Sequence, residues 1–564
     1  MTPARMGAET RSATSPDIAS PIDGASRVCQ RGVIVATVLA AIVAVLLLEL
    51  AAVLAGTGGH VVYVIEAPYT DLALAQQIAQ GHYGLVPGEP AAPASSILFP
   101  FLLAAFVPLG LGTLAPLVIN AGATLAAGLF ALLLAKECGL PLRRMRLRRL
   151  FVVTAAVTLA LNLAGLALTG LEHSLHVALT IAYLLGLVRF VRRGSCDWWW
   201  FLCILVQPLI RFEAAGMLVA DVLIFLSFRR YGYALVTVLI GVALVGGYSL
   251  FLHGIGLPLL PSSVLARSEW SNAAVATQSG IVTVFIAILH NFHDNLNSFG
   301  AAQVLGGIVL ALLWLERLPL LLARRWIDKS EQAKLMTIFF MTFVSLAQLV
   351  GGKIGWVPPR YEAYVLALNL CGLVIVYREK VVVWCARASW LRVTLFSTML
   401  LLFFAGYATQ NFVAPILAQK EYRGPFQLHR FVTEFYRGPV AVDQLGYVNY
   451  DNPYYVLDLS GLASETARQA RARQRSAEWM DELLAQHGVS LAIINNGEDA
   501  AVPAAWIALA ELRSGNDAAN HPIFYARRPG DVAAIAPALS RFAATLPAGV
   551  ELVATTRPGE ATTR

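Results

Sequence analysis

The sequence predicts a mainly α-helical, polytopic membrane bundle followed by a soluble α/β domain, and three observations carry that prediction. Of the 564 residues, 57% are hydrophobic and only 14% are charged, with a mean hydropathy of +0.64; soluble chains carry about 25% charged residues. Long apolar runs alternate with short clusters of Lys and Arg. From Thr409 onward the composition becomes mixed, with alternating, strand-like segments. One soluble core cannot hide so much apolar surface, and fibrous, disordered and small disulfide-rich classes do not fit the composition either.

The formal net charge of +7 would point to nucleic acid in a soluble chain. Here the cations lie between apolar runs, the pattern of cytoplasmic loops. Cys29, Cys138, Cys196, Cys203, Cys371 and Cys385 show no CxxC spacing, and none follows residue 385, so neither a disulfide framework nor a thiolate metal site is indicated. Walker A, GxGxxG and GxSxG motifs are absent, which leaves ATP-driven transport and hydrolase-type esterase chemistry without support.

Taken in order, residues 1–32 are Ser/Ala/Pro-rich and read as a disordered cytoplasmic tail before an uncleaved first span. Apolar runs begin near residues 33, 113, 150, 173, 198, 214, 233, 301, 335, 362 and 391, about eleven spans within a membrane domain over 33–408. The clusters Arg27/Arg31, Arg143–Arg149, Arg189–Arg193, Arg229/Arg230, Arg324–Lys334 and Arg378–Arg387 then all face the cytoplasm. Residues 95–112 are short and carry Pro100 and Pro108; they read as a juxtamembrane or re-entrant helix within a large first outer loop, 56–112. Its part before residue 95 has no Lys or Arg but contains Glu66, Asp71 and Glu89. Residues 409–564 form the extracytoplasmic α/β domain: 439–448, 454–462 and 489–496 read as strands, and 464–488 as helical. The protein is thus expected to be a multi-pass protein of the inner (plasma) membrane, N-terminus inside and C-terminal domain outside.

Isolated charges on the outer side are the candidates for chemistry. Asp71, in APYTDLALAQQIAQG, falls at a predicted helix N-terminus with Thr70 as N-cap and Tyr69 beside it. It is either a favourable first-turn acid or an anion ready to accept a proton. Glu172 lies at a junction of two spans, where an ionisable group is costly. Arg211 and Glu213 interrupt two short spans and either close a hairpin as an ion pair or face a polar cavity. Arg267, Lys353 and Arg360, the last followed by Tyr361, are either solvated loop cations or a convergent cradle for phosphate. Glu49 and Asp221 lie inside spans, where pairing is the expected role. His173/His176 and His290/His293 with Asp294 have helical spacing but lack further ligands at diagnostic positions, so no metal-binding set is assigned.

Several segments also resemble the GT-C class of integral-membrane glycosyltransferases, which includes protein O-mannosyltransferases, the lipid A aminoarabinose transferase and cell-wall arabinofuranosyltransferases. In chain order they are YTDLALAQQIAQGHYGL (69–85) with ASSILFPFLLAAFVPLG (94–110), TGLEHSL (169–175), LIRFEAAG (209–216), LPSSVLAR (260–267), PRYEAYVL (359–366) and VAVDQLGYVNYDNPYYVLDLSGLAS (440–464). The resemblance implies a GT-C bundle and inverting transfer of a sugar from a polyprenyl-phosphate donor to a glycan, lipid or protein acceptor of the cell envelope. It implies Asp71 and Glu172 as catalytic residues, Arg360, Arg267, Lys353 and Arg211 at the donor phosphate, and Tyr69, Glu213 and Tyr361 at substrate. Membrane lipids are the surroundings and nucleic acid is not a partner. No cofactor is assigned; a divalent cation stays open, although the first loop has one Asp where metal-using relatives present more carboxylates. The alternatives are a transporter or flippase of lipid-linked sugars, whose inverted repeats are not evident, and a polymerase or ligase of lipid-linked glycans.

Overall fold

The computed structural model describes residues 21–267, 281–322, 328–355, 357–473, 476–496, 501–515 and 521–555. Among them six helices are long and apolar enough to cross a membrane: Gln30–Gly56, Leu114–Glu137, His173–Arg193, Tyr231–Gly254, Ala301–Leu322 and Lys329–Gly351. A seventh span results if Trp390–Phe403 and Ala405–Tyr436, bent by 84° at their junction, count as one. The protein is a multi-pass helical membrane protein, and among the described residues fewer helices reach full span length than the eleven apolar runs predict. The reason is length. Trp198–Ile210 and Ala215–Ser227 have 13 residues each and Ala363–Val376 has 14; at about 1.5 Å rise per residue such helices reach about 20 Å, against a hydrocarbon core of about 30 Å. The breaks fall where polar residues stand. Pro208 and the extended Arg211 end one run, and Asn162, in a left-handed conformation, divides the run after residue 147.

His173–Arg193 is the central helix. It packs on Leu114–Glu137, Trp198–Ile210, Lys329–Gly351 and Ala363–Val376, and Tyr183, Leu184, Leu187 and Val188 are fully enclosed. One of its neighbours approaches closely: a Cβ at Gly186 would lie 2.0 Å from the Trp200 ring. Asp221 accepts a hydrogen bond from Tyr183 in this interior, the internal pairing expected of it. Neither carboxylate oxygen of Glu49 has a partner among the described residues.

The C-terminal domain is a six-stranded mixed sheet in the order β2-β1-β3-β5-β4-β6. β1 (Val440–Val442) pairs in parallel with β2 (Val456–Asp458) and β3 (Leu491–Asn495). β4 (Ile507–Ser514), β5 (Pro522–Ala526) and β6 (Val550–Ala554) complete it with antiparallel pairs. The predicted strands are present but shorter, because a helix, Gly446–Asn449, follows β1 within the first of them.

This domain does not stand apart from the bundle. Ala73, Leu74, Leu85 and Ala94 of the first loop share one apolar cluster with Val440, Ile493, Phe524 and Phe542. Gly446 sits directly on the first loop: a Cβ there would lie 2.5 Å from Glu66 Cβ. The Tyr447 ring lies tilted against that of Tyr69, with centroids 3.8 Å apart. The carboxyl ends of β1 and β3, where Asp443 accepts from Asn495 N–H and Nδ2, therefore face the first loop.

Candidate functional site

The charged segments meet at the end of the bundle that carries the α/β domain. Helix Trp198–Ile210 stops at Arg211, and a single helical turn, Phe212–Ala214, precedes Ala215–Ser227. This break turns Arg211 inward, where it is 5% exposed. Its Nη1 donates to Glu172 Oε1 at 2.7 Å, while Nη2 and Nε donate to Glu213 at 2.6 and 3.1 Å. One guanidinium thus joins two carboxylates contributed by separate segments. Arg211 and Glu213 form an ion pair, and both also line a cavity of about 400 Å³ whose walls are mainly apolar.

Tyr361 forms one side of that cavity. The Arg211 guanidinium lies 4.9 Å from its ring centre and that of Arg360 4.7 Å, while His173 meets the ring edge-on at 5.5 Å. Arg360, 6% exposed, is held in place by donating to Pro358 O (3.0 Å) and Tyr361 Oη (3.2 Å). Next in sequence, Glu362 accepts from Gly355 N–H and from Tyr407. Lys353 also lines the cavity. Its ammonium meets no carboxylate within ion-pair distance among the described residues.

Asp71 approaches from the first loop. Its helix, Ala67–Ala79, begins earlier than the Thr70 cap predicts, because Pro68 is well suited to the first turn. Asp71 consequently stands inside the helix and not at its N-terminus, and helix-dipole stabilisation does not account for it. The residue is 5% exposed. Pro68, one turn earlier on the same face, closes on Gly170, where a Cβ would lie 2.8 Å away. Gly170 has φ +68° and precedes Glu172 by two residues, so the Asp71 face of the helix is turned toward the Thr169–Glu172 segment. On its other side Asp71 neighbours Tyr83: burial, then the Tyr248 hydroxyl and the Asp71 charge, hold that phenol well above its ordinary range.

Other expected site residues take different places. Tyr69 is fully buried; its hydroxyl accepts from Tyr63 N–H at 2.9 Å and its ring lies on Tyr447. In this structure it packs the α/β domain onto the first loop. Arg267 ends the helix Ser262–Arg267, but its side chain lies outside the described residues. The serines of that segment tie loops together: Ser262 Oγ donates to Ala92 O and Leu462 O, and Ser263 Oγ to Ala94 O. Among the described residues no group of three or more His, Cys, Asp or Glu side chains is arranged to hold a metal ion.

Three residues of the site carry little sequence signal. His173 is there because it follows Glu172 on the same turn. Asn291, of helix Ile281–Asn297, lines the cavity, and Asn295 lies one turn further along. Their i,i+4 spacing, in the half of the helix that also carries His290, His293 and Asp294, was the only available clue.

A family model described as a domain of unknown function (DUF8728) matches residues 411–532. No curated protein matches the chain. Among solved structures, ArnT from Cupriavidus metallidurans bound to undecaprenyl phosphate is similar at 16% identity and a TM-score of 0.42, over 86% of this chain and 98% of that one. The Archaeoglobus fulgidus oligosaccharyltransferase in complex with Zn and sulfate is similar at 11% identity and a TM-score of 0.43, over 91% of this chain and 75% of that one. The oligosaccharyltransferase AglB from the same organism, in complex with an inhibitory peptide and a dolichol-phosphate, is similar at 11% identity and a TM-score of 0.42, over 81% and 69% of the two chains.

Proposed function

We propose that this chain is an inverting glycosyltransferase of GT-C kind. It moves a sugar from a polyprenyl-phosphate donor to a cell-envelope acceptor at the exoplasmic face of the inner membrane, where the α/β domain would then reside. The observation that carries the reading is the meeting of the motif-bearing segments. TGLEHSL and LIRFEAAG are joined by the Glu172–Arg211 pair; PRYEAYVL places Tyr361 against Arg211; and Lys353 lines the same cavity.

In this reading the bond from the anomeric carbon to the donor phosphate oxygen breaks, and the leaving phosphate takes up the electron pair. Lys353 and Arg360 neutralise that charge, with Arg267 as a further phosphate contact. Fixed cations at a site where charge develops need no reorganisation during reaction, which is where electrostatic stabilisation is most effective. Asp71 accepts the proton of the acceptor hydroxyl as it attacks the opposite face of the sugar, and the anomeric configuration inverts. Arg211 has its guanidinium engaged by Glu172 and Glu213, so these three form a rigid wall beside the sugar and leave phosphate binding to the other cations. Glu213 and Tyr361 present the cavity's remaining polar and aromatic surface to substrate.

The test is a strain lacking the protein, complemented with wild type or with Asp71→Asn. Deletion is expected to remove one glycosidic linkage from a surface glycan, lipid or protein and to build up its polyprenyl-phosphate sugar. Asp71→Asn, which loses a general base typically worth about 10²–10⁴-fold in rate, should fail to restore the linkage while inserting normally. An unchanged glycan profile on deletion overturns the activity; full rescue by Asp71→Asn overturns the base.

A further inference from the structure

Among the described residues the histidines and aspartate of HNFHD belong to no group of three or more metal-ligating side chains, while the asparagines threaded through this stretch converge on one short turn. Asn291 Nδ2 donates to Val350 O at 2.8 Å and to Gly352 O at 3.1 Å. Asn295 Nδ2 donates to Leu349 O at 2.8 Å and to Gly352 O at 2.9 Å, while its Oδ1 accepts from Ile354 N–H at 3.0 Å. The two residues are 3% and 1% exposed. From the other side Gln348 Nε2 donates to Lys353 O at 2.8 Å, and Tyr364 donates to Gln348 Oε1 at 3.0 Å.

Two of the accepting carbonyls, those of Leu349 and Val350, belong to the last turn of helix Lys329–Gly351, where carbonyls run out of donors further along the helix, and those of Gly352 and Lys353 follow directly after it. Here Asn291 and Asn295 of a second helix donate to Val350 O, Leu349 O and Gly352 O, and each peptide unit flanking Lys353 is held by an amide side chain. The turn admits little change: a Cβ at Gly352 would lie 2.3 Å from the Gln348 amide nitrogen. A lysine carries its charge on a flexible four-carbon stem, so directing the ammonium into the cavity requires an immobile backbone. The residue so immobilised is the one cavity cation without a carboxylate at ion-pair distance among the described residues.

We propose that Asn291 and Asn295 are positioning residues: they clamp the Leu349–Ile354 turn so that Lys353 projects into the cavity as a preformed site for a phosphate anion. The clamp rests on the function proposed above only for the identity of that phosphate. The shared chemistry is a phosphate monoester on a lipid, from either a polyprenyl or an acyl-chain source.

The experiment is a double-mutant cycle read as lipid retention by the purified full-length protein in detergent, with decaprenyl phosphate, phosphatidic acid and neutral decaprenol as probes. Lys353→Met is expected to reduce retention of the phosphate lipid about tenfold or more, the scale of a lost charge-assisted contact. Asn295→Asp, which keeps the Ile354 contact but cannot donate to Leu349 and Gly352, should produce a comparable loss with decaprenol unaffected. The double variant should bind no worse than Lys353→Met alone, because both changes remove the same interaction. If Asn295→Asp does not fold, Asn291→Asp takes its place in the cycle. Retention of phosphatidic acid and not decaprenyl phosphate, with the same non-additive cycle, keeps the clamp and overturns the polyprenyl donor. Losses that multiply, or wild-type protein that retains neither phosphate lipid, overturn the clamp.

Discussion

At the scale of single residues, Arg211 illustrates how an expensive group is made tolerable. Its side chain is 6% exposed and that of Glu172 2%, and burial of either alone would cost several kcal/mol. Because two carboxylates share one guanidinium, the two possible deletions are not equivalent. Glu172→Gln leaves Arg211 balanced by Glu213 and forfeits a charge-assisted hydrogen bond, about 1.5–3 kcal/mol. Arg211→Met leaves two carboxylates facing each other without a cation, about 3–5 kcal/mol. Thermal or denaturant unfolding in detergent is therefore expected to rank Arg211→Met as clearly less stable than Glu172→Gln; the reverse order would mean that the triad is not a stabilising unit. Asp71, Glu172, Arg211, Lys353 and Arg360 stood out in the sequence because charges are rare in this chain and costly near lipid. Asn291 and Asn295 did not, because an amide carries no such penalty and its partners lie more than fifty residues away.

At the scale of elements, short helices do what full-length spans cannot. Broken runs such as 198–227 allow Arg211 and Glu213 to turn into the interior, whereas a continuous helix would keep its backbone groups paired and direct its side chains around its circumference. The hydropathy of these runs was legible; their breaks were less so, because a single extended residue at Arg211 barely alters a windowed average. Docking of the Gly446–Asn449 helix on Ala67–Ala79 offers a test at this scale. An alanine methyl at 446 would fall 2.5 Å from Glu66 Cβ and 2.9 Å from Glu66 O, so the elements must separate. Gly446→Ala is expected to cost about 1–3 kcal/mol, the usual range for overpacking, and to increase proteolysis between the bundle and the sheet. An unchanged digestion pattern would indicate that the domain is held elsewhere.

For the whole molecule, the contact between the first loop and the α/β domain carries a pH dependence. Glu66 is pushed from its ordinary carboxylate value up to about 8, by burial first and by the nearby Asp443 charge second; burial also raises Asp443. A carboxyl whose folded value lies above its unfolded one favours the folded state most when protonated. The contribution is fully present below about 4.5 and is lost as pH rises toward about 8. Glu66→Gln, neutral throughout, is expected to raise the melting temperature relative to wild type at pH 8 and to flatten its dependence between pH 5 and 8. Equal slopes for the two proteins would exclude Glu66 as the titrating group.

The sequence by itself determined the membrane class, because an apolar excess of this size has no soluble solution, and it determined the α/β character of the C-terminal segment, because strand and helix periodicities are local. It also supplied the charged residues from which a site is built. Only the tertiary structure decided which of them meet: that Arg211 is claimed by two carboxylates, that Tyr69 is packing, that the α/β domain shares its core with the first loop, and that two asparagines hold the turn bearing Lys353. Apart from Arg211 with its near neighbour Glu213, those contacts join segments tens to hundreds of residues apart. Periodicity reports the environment of a residue within its own element, whereas partnership depends on how elements of different length pack against one another.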